Sequence, residues 1–210
     1  NGVADDFANI TRLPRESIKV IYNPIVIPEL LEKAKEAVEH PWFSRGEPPV
    51  ILSVGRLTKA KDYPTLIRAF ALVRRKYPAR LMILGEGEER AKLEALTQEL
   101  GLQDDISLPG FVDNPYAYMA RAAVFVLSSA WEGFGNVLVE AMAVGTPVIS
   151  TDCPSGPAEI LENGRWGKLV PVGDTNAMAQ AILSTLSGQE VKVGFQNRAL
   201  KFTIERITKY

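Results

Sequence analysis

Short apolar runs alternate with helical segments along most of this chain, from residue 50 to residue 186. Each run is apolar on both faces and is followed by a polar or glycine-containing loop, then by helical periodicity. This order is typical of βαβ units, whose parallel strands are buried between two layers of helices. The pattern therefore predicts an α/β fold, a Rossmann-like parallel β-sheet with helices on both faces. Strands are predicted at residues 50–54, 81–84, 106–108, 124–127, 148–149 and 168–170, and helices at 63–77, 88–100, 115–122, 136–144, 157–162 and 176–186.

The two ends of the chain are less regular than this centre. The pattern predicts a short helix over residues 2–11, a strand over 18–22 that stops at an Asn-Pro turn, and a charged helix over 29–38. After Gly188 it predicts a single amphipathic helix that runs from residue 195 to the end. The start at Asn1, without a methionine, suggests a piece of a longer protein.

Composition narrows the classes of partner. The 24 Lys and Arg nearly balance the 25 Asp and Glu, so no global field attracts nucleic acid. Cys153 and His40 are the only cysteine and histidine in the sequence, which excludes a disulfide within the chain and argues against a Cys/His metal site. No apolar stretch approaches the roughly 20 residues of a membrane-spanning helix. We expect a cytoplasmic protein that needs no metal and no other cofactor.

Polar residues follow several predicted strands, where the carboxyl ends of a parallel sheet bind ligands. Gly55, Arg56 and Lys61 follow the first strand of the sheet. A guanidinium and an ammonium in one loop suit a diphosphate, because the first binds phosphate through two parallel N–H groups and the second adds a compact charge. The alternative is a solvated basic loop without a ligand.

Two further loops offer room for a ligand at the same edge. Gly85 lies in a Gly-Glu-Gly turn, where glycine lets the backbone approach a ligand closely. Arg90 stands where a dinucleotide fingerprint needs its third glycine, so an NAD site is poorly supported. The loop with Gly110, Phe111 and Val112 could frame a flat base, although Phe111 could equally belong to the core.

The most informative segment follows the fourth strand. The predicted helix at 136–144 is apolar except for Glu140 and the Asn136 that opens it, which predicts burial on all sides. A buried carboxylate needs partners, either the two hydroxyls of a ribose or an arginine of the core. Gly133 and Gly135 open the helix with free amides that suit a phosphate, and Glu132 could reach sugar hydroxyls beyond it.

These residues together resemble the signature of retaining GT-B glycosyltransferases of the large group numbered family 4. The Glu132-Gly-Phe-Gly turn, followed by Glu140 after seven intervening residues, is the core of the resemblance. It extends over most of the chain, and its other parts are the runs at 53–57, 61–67, 109–112 and 140–149. A departure is Asp62, since a glycine often follows the lysine in this family.

The resemblance implies a role for each matching residue. Arg56 and Lys61 would neutralise the departing diphosphate, Glu132 would bind the transferred sugar, and Glu140 would hold the ribose. The remaining donor-binding positions would be Gly55, Gly85, Gly110, Phe111, Val112, Gly133, Phe134, Gly135 and Asn136. The donor would be a nucleotide-diphospho-sugar, with UDP-sugars favoured over GDP-sugars, and no metal would be bound.

The resemblance also implies a division of the chain. Residues 1–27 would be the end of a missing N-terminal domain and its linker, 28–194 the nucleotide-sugar-binding C-terminal half of a GT-B fold, and 195–210 a helix that crosses back. The fragment alone would be inactive. Its partners would be the donor and the missing domain, and peripheral association with the cytoplasmic face of the inner membrane is compatible with the family. Two alternatives remain, half of a sugar-nucleotide 2-epimerase and a non-catalytic nucleotide-sugar-binding module.

Overall fold

A computed structural model describes residues 2–189 and 194–207. Six strands form one parallel sheet in the order β3-β2-β1-β4-β5-β6. The strands are β1 (Val50–Val54), β2 (Arg80–Leu84), β3 (Ile106–Gly110), β4 (Val124–Leu127), β5 (Val148–Thr151) and β6 (Lys168–Val170). All six were predicted at these places, and β2, β3 and β5 extend a little beyond the predicted bounds.

Helices cover both faces of the sheet, as the apolar runs predict. In the described residues the α-helices are α1 (Gly2–Thr11), α2 (Pro28–Lys33), α3 (Tyr63–Arg74), α4 (Arg90–Glu99), α5 (Pro115–Arg121), α6 (Asn136–Ala143), α7 (Pro157–Ile160), α8 (Thr175–Leu186), α9 (Phe195–Ala199) and α10 (Ile204–Ile207). One core joins Ile51 and Ile83 to α3, α4 and α8. The other joins Leu52 and Met82 to α5, α6 and α9. The alternate side chains of each strand therefore feed two cores, which is why each strand is apolar on both faces.

Three predictions at the ends of the chain are wrong. Residues 18–22 form no strand in the described structure, because the only sheet-like contact of this region is an isolated parallel bridge from Val26 to Thr203. The charged helix expected at 29–38 is the shorter α2, which starts at Pro28 as the first helical residue and ends at Lys33.

The third wrong prediction is the single helix after residue 194. The described part of this region is α9, a 3-10 turn at Leu200–Phe202 and then α10, with a break at the extended residue Thr203; residues 208–210 of the predicted helix lie outside the described residues. Phe195, Ala199 and Phe202 are buried in the core that also holds α6. We call residues 18–26 the entry segment and residues 195–203 the return segment.

Entry and return segments lie side by side. The backbone amides of Ile25 and Val26 both donate to the carbonyl of Phe202, at 2.9 and 3.1 Å. The isolated bridge from Val26 to Thr203 continues this contact. The two segments thus form a short paired edge that is separate from the six-stranded sheet.

Candidate functional site

The strand order places one crevice at the carboxyl edge of the sheet. The chain leaves β1 towards β2 and β3 on one side, then returns to build β4, β5 and β6 on the other. The helices α3 and α6, which follow β1 and β4, therefore pack on opposite faces of the sheet, and the carboxyl ends of β1 and β4 mark the point where ligands of such sheets bind. Lys61 belongs to the loop after β1 and Glu132 to the loop after β4.

These two loops are fastened to each other by hydrogen bonds. The amide of Ala130 donates to the carbonyl of Ala60 at 2.8 Å, and Ser128 Oγ donates to the carbonyl of Lys61 at 2.7 Å. Ser128 is almost completely buried, so its hydroxyl is held in place from all sides. Side chains at the ends of the two loops are consequently fixed relative to each other.

Lys61 and Glu132 form an ion pair at the floor of the crevice. Lys61 Nζ donates to Glu132 Oε1, and Ser129 Oγ donates to the same oxygen at 2.6 Å. The side chains are 19% and 12% exposed, so the pair is largely sheltered from water. The sequence predicted a phosphate role for the lysine and a sugar role for the carboxylate, and the structure adds that the two side chains form an ion pair with each other.

Arg56 differs from Lys61 in its surroundings. It lies in the exposed loop after β1, and its guanidinium has no hydrogen-bond or ion-pair partner among the described residues. The cavity that contains Lys61 and Glu132 does not include Arg56 in its lining. The sequence grouped Arg56 and Lys61 in one loop. In the described structure Lys61 is paired with Glu132, whereas Arg56 has no partner.

A cavity of about 800 Å³ opens above the ion pair. One wall is the turn from Glu132 to Gly135 with the start of α6, and the opposite wall is formed by α1 and the entry segment. Ser155, Gly156 and Glu159 complete the lining. The structure thus gathers Lys61, Glu132 and the glycine turn into one concave site.

The glycine turn leaves space for a ligand at one position. No atom lies within 4 Å of an ideal Cβ on Gly133, and this residue is exposed. Gly135 has a φ of +93° and caps the N-terminus of α6, a conformation that L side chains rarely adopt. The exposed Asn136 begins the helix and lines the same cavity. Free amides at a helix start are suited to a negatively charged group.

The other predicted glycines are explained by packing between loops. An ideal Cβ on Gly85 would lie 2.1 Å from the carbonyl oxygen of Gly55, and one on Gly110 would lie 2.7 Å from Glu86 Oε1. An ideal Cβ on Gly55 would lie 2.9 Å from Tyr63 Oη. These glycines let successive strand-end loops approach one another, and they do not line the cavity. The neighbours of Gly85 in the structure are protein atoms, and the close approach to a ligand that the sequence predicted for it stays a prediction.

Arg90 completes this packing at the position where a dinucleotide fingerprint needs glycine. It binds both carboxylate oxygens of Glu86, at 2.7 and 2.8 Å, and it also donates to the carbonyl of Leu108. The arginine lowers the pKa of Glu86 through these hydrogen bonds. The side chain thus ties the loop after β2 to β3.

Phe111 and Val112 follow β3, two strands away from β1. Phe111 is 75% exposed, so the alternative that it belongs to the core is wrong. Val112 is partly buried against the core that holds α6. An exposed ring beside a fixed backbone gives a flat apolar surface at this end of the carboxyl edge.

Glu140 lies on the one open edge of α6. Asn136 is exposed and Val137, Glu140 and Val144 are partly buried, so the prediction that this helix is buried on all sides is wrong. Burial raises the pKa of Glu140 to about 6. Its carboxylate has no ion pair among the described residues, and the alternative of pairing with a core arginine is therefore not found.

Tyr116 on α5 was not singled out from the sequence. Burial raises the pKa of its hydroxyl, and the charge of Glu140 adds to the shift, which indicates that the two side chains are neighbours. Ser129 and Tyr22 were also missed; the first binds Glu132 and the second donates to Glu159 Oε1. Only Ser129 had a signal in the sequence, as a hydroxyl directly after a fully apolar strand.

The structure also bears on the single cysteine, on metal binding and on membrane-spanning helices. Cys153 is buried, and burial raises the pKa of its thiol. Across residues 2–189 and 194–207, no three His, Cys, Asp or Glu side chains are grouped so as to hold a metal ion. In the same residues we find no helix with the length and apolarity to span a membrane.

Comparison with known proteins gives a consistent match. The family described as "Glycosyl transferases group 1" matches residues 34–202. The chain is 36% identical over 198 residues to the N-acetylgalactosamine-N,N'-diacetylbacillosaminyl-diphospho-undecaprenol 4-alpha-N-acetylgalactosaminyltransferase of Campylobacter jejuni. That alignment covers 94% of this chain and 52% of the relative, so the chain spans about half of the relative's length.

Solved structures have the same fold. The apo form of the lipopolysaccharide outer core galactosyltransferase WaaB is 26% identical, with a TM-score of 0.80 over 100% of this chain and 58% of that one. The pneumococcal O-GlcNAc transferase GtfA in complex with UDP and GlcNAc is 26% identical, with a TM-score of 0.71 over 77% of this chain and 34% of that one. The fold is therefore the Rossmann-like fold of GT-B glycosyltransferases.

Proposed function

Because this chain belongs to the group 1 glycosyltransferases, we propose that it is the donor-binding domain of a retaining, metal-independent hexosyltransferase. The diphosphate of a nucleotide-sugar would lie over the amides of Gly133 and Gly135, with Lys61 and Arg56 as its cations. Glu132 would bind hydroxyls of the transferred sugar. Transfer would take place in the whole protein, where residues outside the half of the relatives that this chain spans would form the acceptor side of the cleft.

Glu140 is the observation that carries the proposal. It is a partly buried carboxylate with a pKa raised to about 6, and the described residues offer it no cation. The two hydroxyls of a ribose would donate to its oxygens and offset the cost of its burial.

The order of groups along the carboxyl edge supports this assignment. Phe111 and Val112 would frame the base, Glu140 the ribose, and the glycine turn with Lys61 the diphosphate. The Campylobacter relative is named for transfer to a diphospho-undecaprenol, and WaaB for lipopolysaccharide outer core. We therefore extend the proposal to the synthesis of a surface polysaccharide or glycolipid, with a UDP-sugar donor as in the UDP complex of GtfA.

Calorimetric titration of the 210-residue chain with UDP, GDP and ADP, without added metal, tests the donor site. We expect one diphosphate to bind selectively. Arg56→Ala should weaken binding of the diphosphate by roughly ten- to hundredfold and leave binding of the free nucleoside nearly unchanged, because a hydrogen bond to a charged group contributes about 1.5–3 kcal/mol. Glu140→Gln should weaken the diphosphate and the nucleoside alike.

Two exposed residues provide matched controls. Arg75→Ala removes a guanidinium at the opposite end of α3, and Glu99→Gln a carboxylate at the end of α4. Neither should change affinity. Equal losses of affinity for the diphosphate and the nucleoside in Arg56→Ala would contradict the role of Arg56. If the unmodified chain binds no nucleotide, the result would favour a non-catalytic module without a donor site.

A further inference from the structure

Three aromatic rings from distant parts of the sequence meet at the glycine turn, and two of them, Tyr22 and Phe134, line its cavity. Tyr22 belongs to the entry segment, Phe134 to the turn itself and Phe202 to the return segment. Their ring centroids are 5.3 Å apart for Tyr22 and Phe134, 5.6 Å for Tyr22 and Phe202, and 5.6 Å for Phe134 and Phe202. All three distances are within the range of favourable aromatic contact. We call these residues the aromatic triad.

Polar contacts hold the triad against α7. The hydroxyl of Tyr22 donates to Glu159 Oε1 in this short helix. Arg198 lies 5.1 Å over the ring of Phe202 and donates to the carbonyls of Glu159 and Ile160, both at 2.8 Å. The entry and return segments are thus each joined to α7 by a side chain.

The backbone of Phe134 is held on the same helix. Gly156, which precedes α7, has a φ of +85°, and an ideal Cβ on it would lie 2.0 Å from the carbonyl oxygen of Phe134. The turn can lie this close only because Gly156 has no side chain. The ring of Phe134 therefore packs in the triad, and its carbonyl lies against Gly156 at the start of α7.

We propose that Phe134 is a positioning residue, and that its contacts with Tyr22 and Phe202 set the orientation of the Gly133 and Gly135 amides. The entry and return segments, which are bonded to each other through Phe202, would then tune the affinity of the glycine turn for a diphosphate. This inference rests on the proposed function for its ligand, whereas the contact between triad and turn does not depend on it.

Phe202→Leu tests the inference, because it keeps an apolar side chain in the core and removes both ring contacts of Phe202. In the chain without ligand we expect faster amide hydrogen exchange at Leu138, whose amide donates to the carbonyl of Gly135, and at Ile160, which donates to Gly156. Exchange at Leu93 in α4 should change less. Affinity for UDP should fall by roughly three- to thirtyfold, the usual range for packed networks that couple two regions.

Two further variants separate coupling from general destabilisation. Phe70→Leu makes the same change at a fully buried ring in the other core, and should leave UDP affinity unchanged. Tyr22→Phe keeps the ring and removes the hydroxyl that donates to Glu159. It should lower the affinity for UDP less than Phe202→Leu does. A similar loss of UDP affinity in Phe70→Leu and Phe202→Leu would overturn the inference, as would unchanged exchange at Leu138 in Phe202→Leu.

The two proposals can fail separately. If the unmodified chain binds no nucleoside diphosphate, the proposed function fails, and the exchange comparison still decides whether the triad holds the turn. In a second case the chain binds UDP and Glu140→Gln abolishes this binding, while Phe202→Leu changes neither amide hydrogen exchange nor UDP affinity. The donor site would then be supported, and the positioning role of Phe134 would be refuted.

Discussion

At the scale of single residues, burial of the charged Glu140 carboxylate costs free energy, and a ligand that donates hydrogen bonds to it would offset this cost. Its folded-state pKa of about 6 lies above the ordinary value of 4.5. The folded chain therefore holds this proton more tightly than the unfolded chain does. The corresponding stability is fully present below pH 4.5 and is lost as the pH rises through about 6, a difference of roughly 2 kcal/mol.

Glu140→Gln should accordingly stabilise the chain while it impairs binding. At pH 7 we expect the free energy of unfolding to rise by about 1–2 kcal/mol, since the amide has no charge to bury. The gain should shrink towards zero at pH 4.5, where the carboxyl group of the original chain is protonated. Urea unfolding at several pH values measures this difference, and a gain that does not depend on pH would contradict the desolvation of Glu140.

Asp62 shows how far a single residue can be predicted. The sequence marked it only as a departure from the glycine that often follows the lysine. In the structure it has a φ of 43° and a ψ of 46°, the left-handed conformation in which glycine has no steric cost and aspartate is tolerated. Its carboxylate also accepts a hydrogen bond from Thr65 Oγ1 at 2.7 Å. The backbone explains both the family preference and the exception.

At the scale of elements, the loops after β1 and β4 act as one unit because Lys61 and Glu132 are paired. A diphosphate that binds Lys61 must compete with this carboxylate. Glu132→Gln should therefore raise the affinity for UDP by about two- to fivefold, because it frees the ammonium of Lys61. The same variant should bind a UDP-sugar no more tightly than UDP. Calorimetry of both ligands measures the two effects.

Lys61→Met is the matching variant from the other side of the ion pair. It should weaken UDP, because the cation is lost and Glu132 is left to repel the phosphates. Weaker UDP binding in Glu132→Gln would mean that this carboxylate orients Lys61 towards the ligand and does not compete for it.

The strands and central helices were predictable because local patterns determine them. A run that is apolar on both faces can only be an internal strand of a covered sheet or a buried helix, and its short length decides between them. Residues 18–22 are also mainly apolar, but in the described structure they belong to no strand and line the cavity instead. The paired state of Lys61 and the contacts of Phe134 depend on residues far apart in the sequence, for which no local pattern exists.

At the scale of the whole molecule, the return segment belongs to the core of the domain. Removal of residues 195–210 would expose Leu138, Val139 and Met142 of α6 where Phe195, Ala199 and Phe202 now pack. We expect this truncated chain to lose cooperative thermal unfolding, because burial of each large apolar side chain contributes about 1.5–3 kcal/mol.

A chain that ends at residue 203 is the control for that truncation. It keeps the three buried side chains and should unfold cooperatively at nearly the original temperature. Calorimetric scans of both chains test the difference. Cooperative unfolding of the shorter chain would mean that the core of the domain does not need the return segment.

The paired edge of Val26 and Thr203 makes everything between these residues a cassette. Because Val26 and Thr203 are neighbours, the segment between them could be replaced by the corresponding segment of a related protein with the same distance between its ends. The backbone on either side of the exchanged segment would then keep its position. Tyr22 lies outside the exchanged segment, while both of its aromatic partners lie inside. A chimera of this kind would inherit its donor preference from the cassette, but the neighbouring sequence would decide how well the transplanted turn is supported.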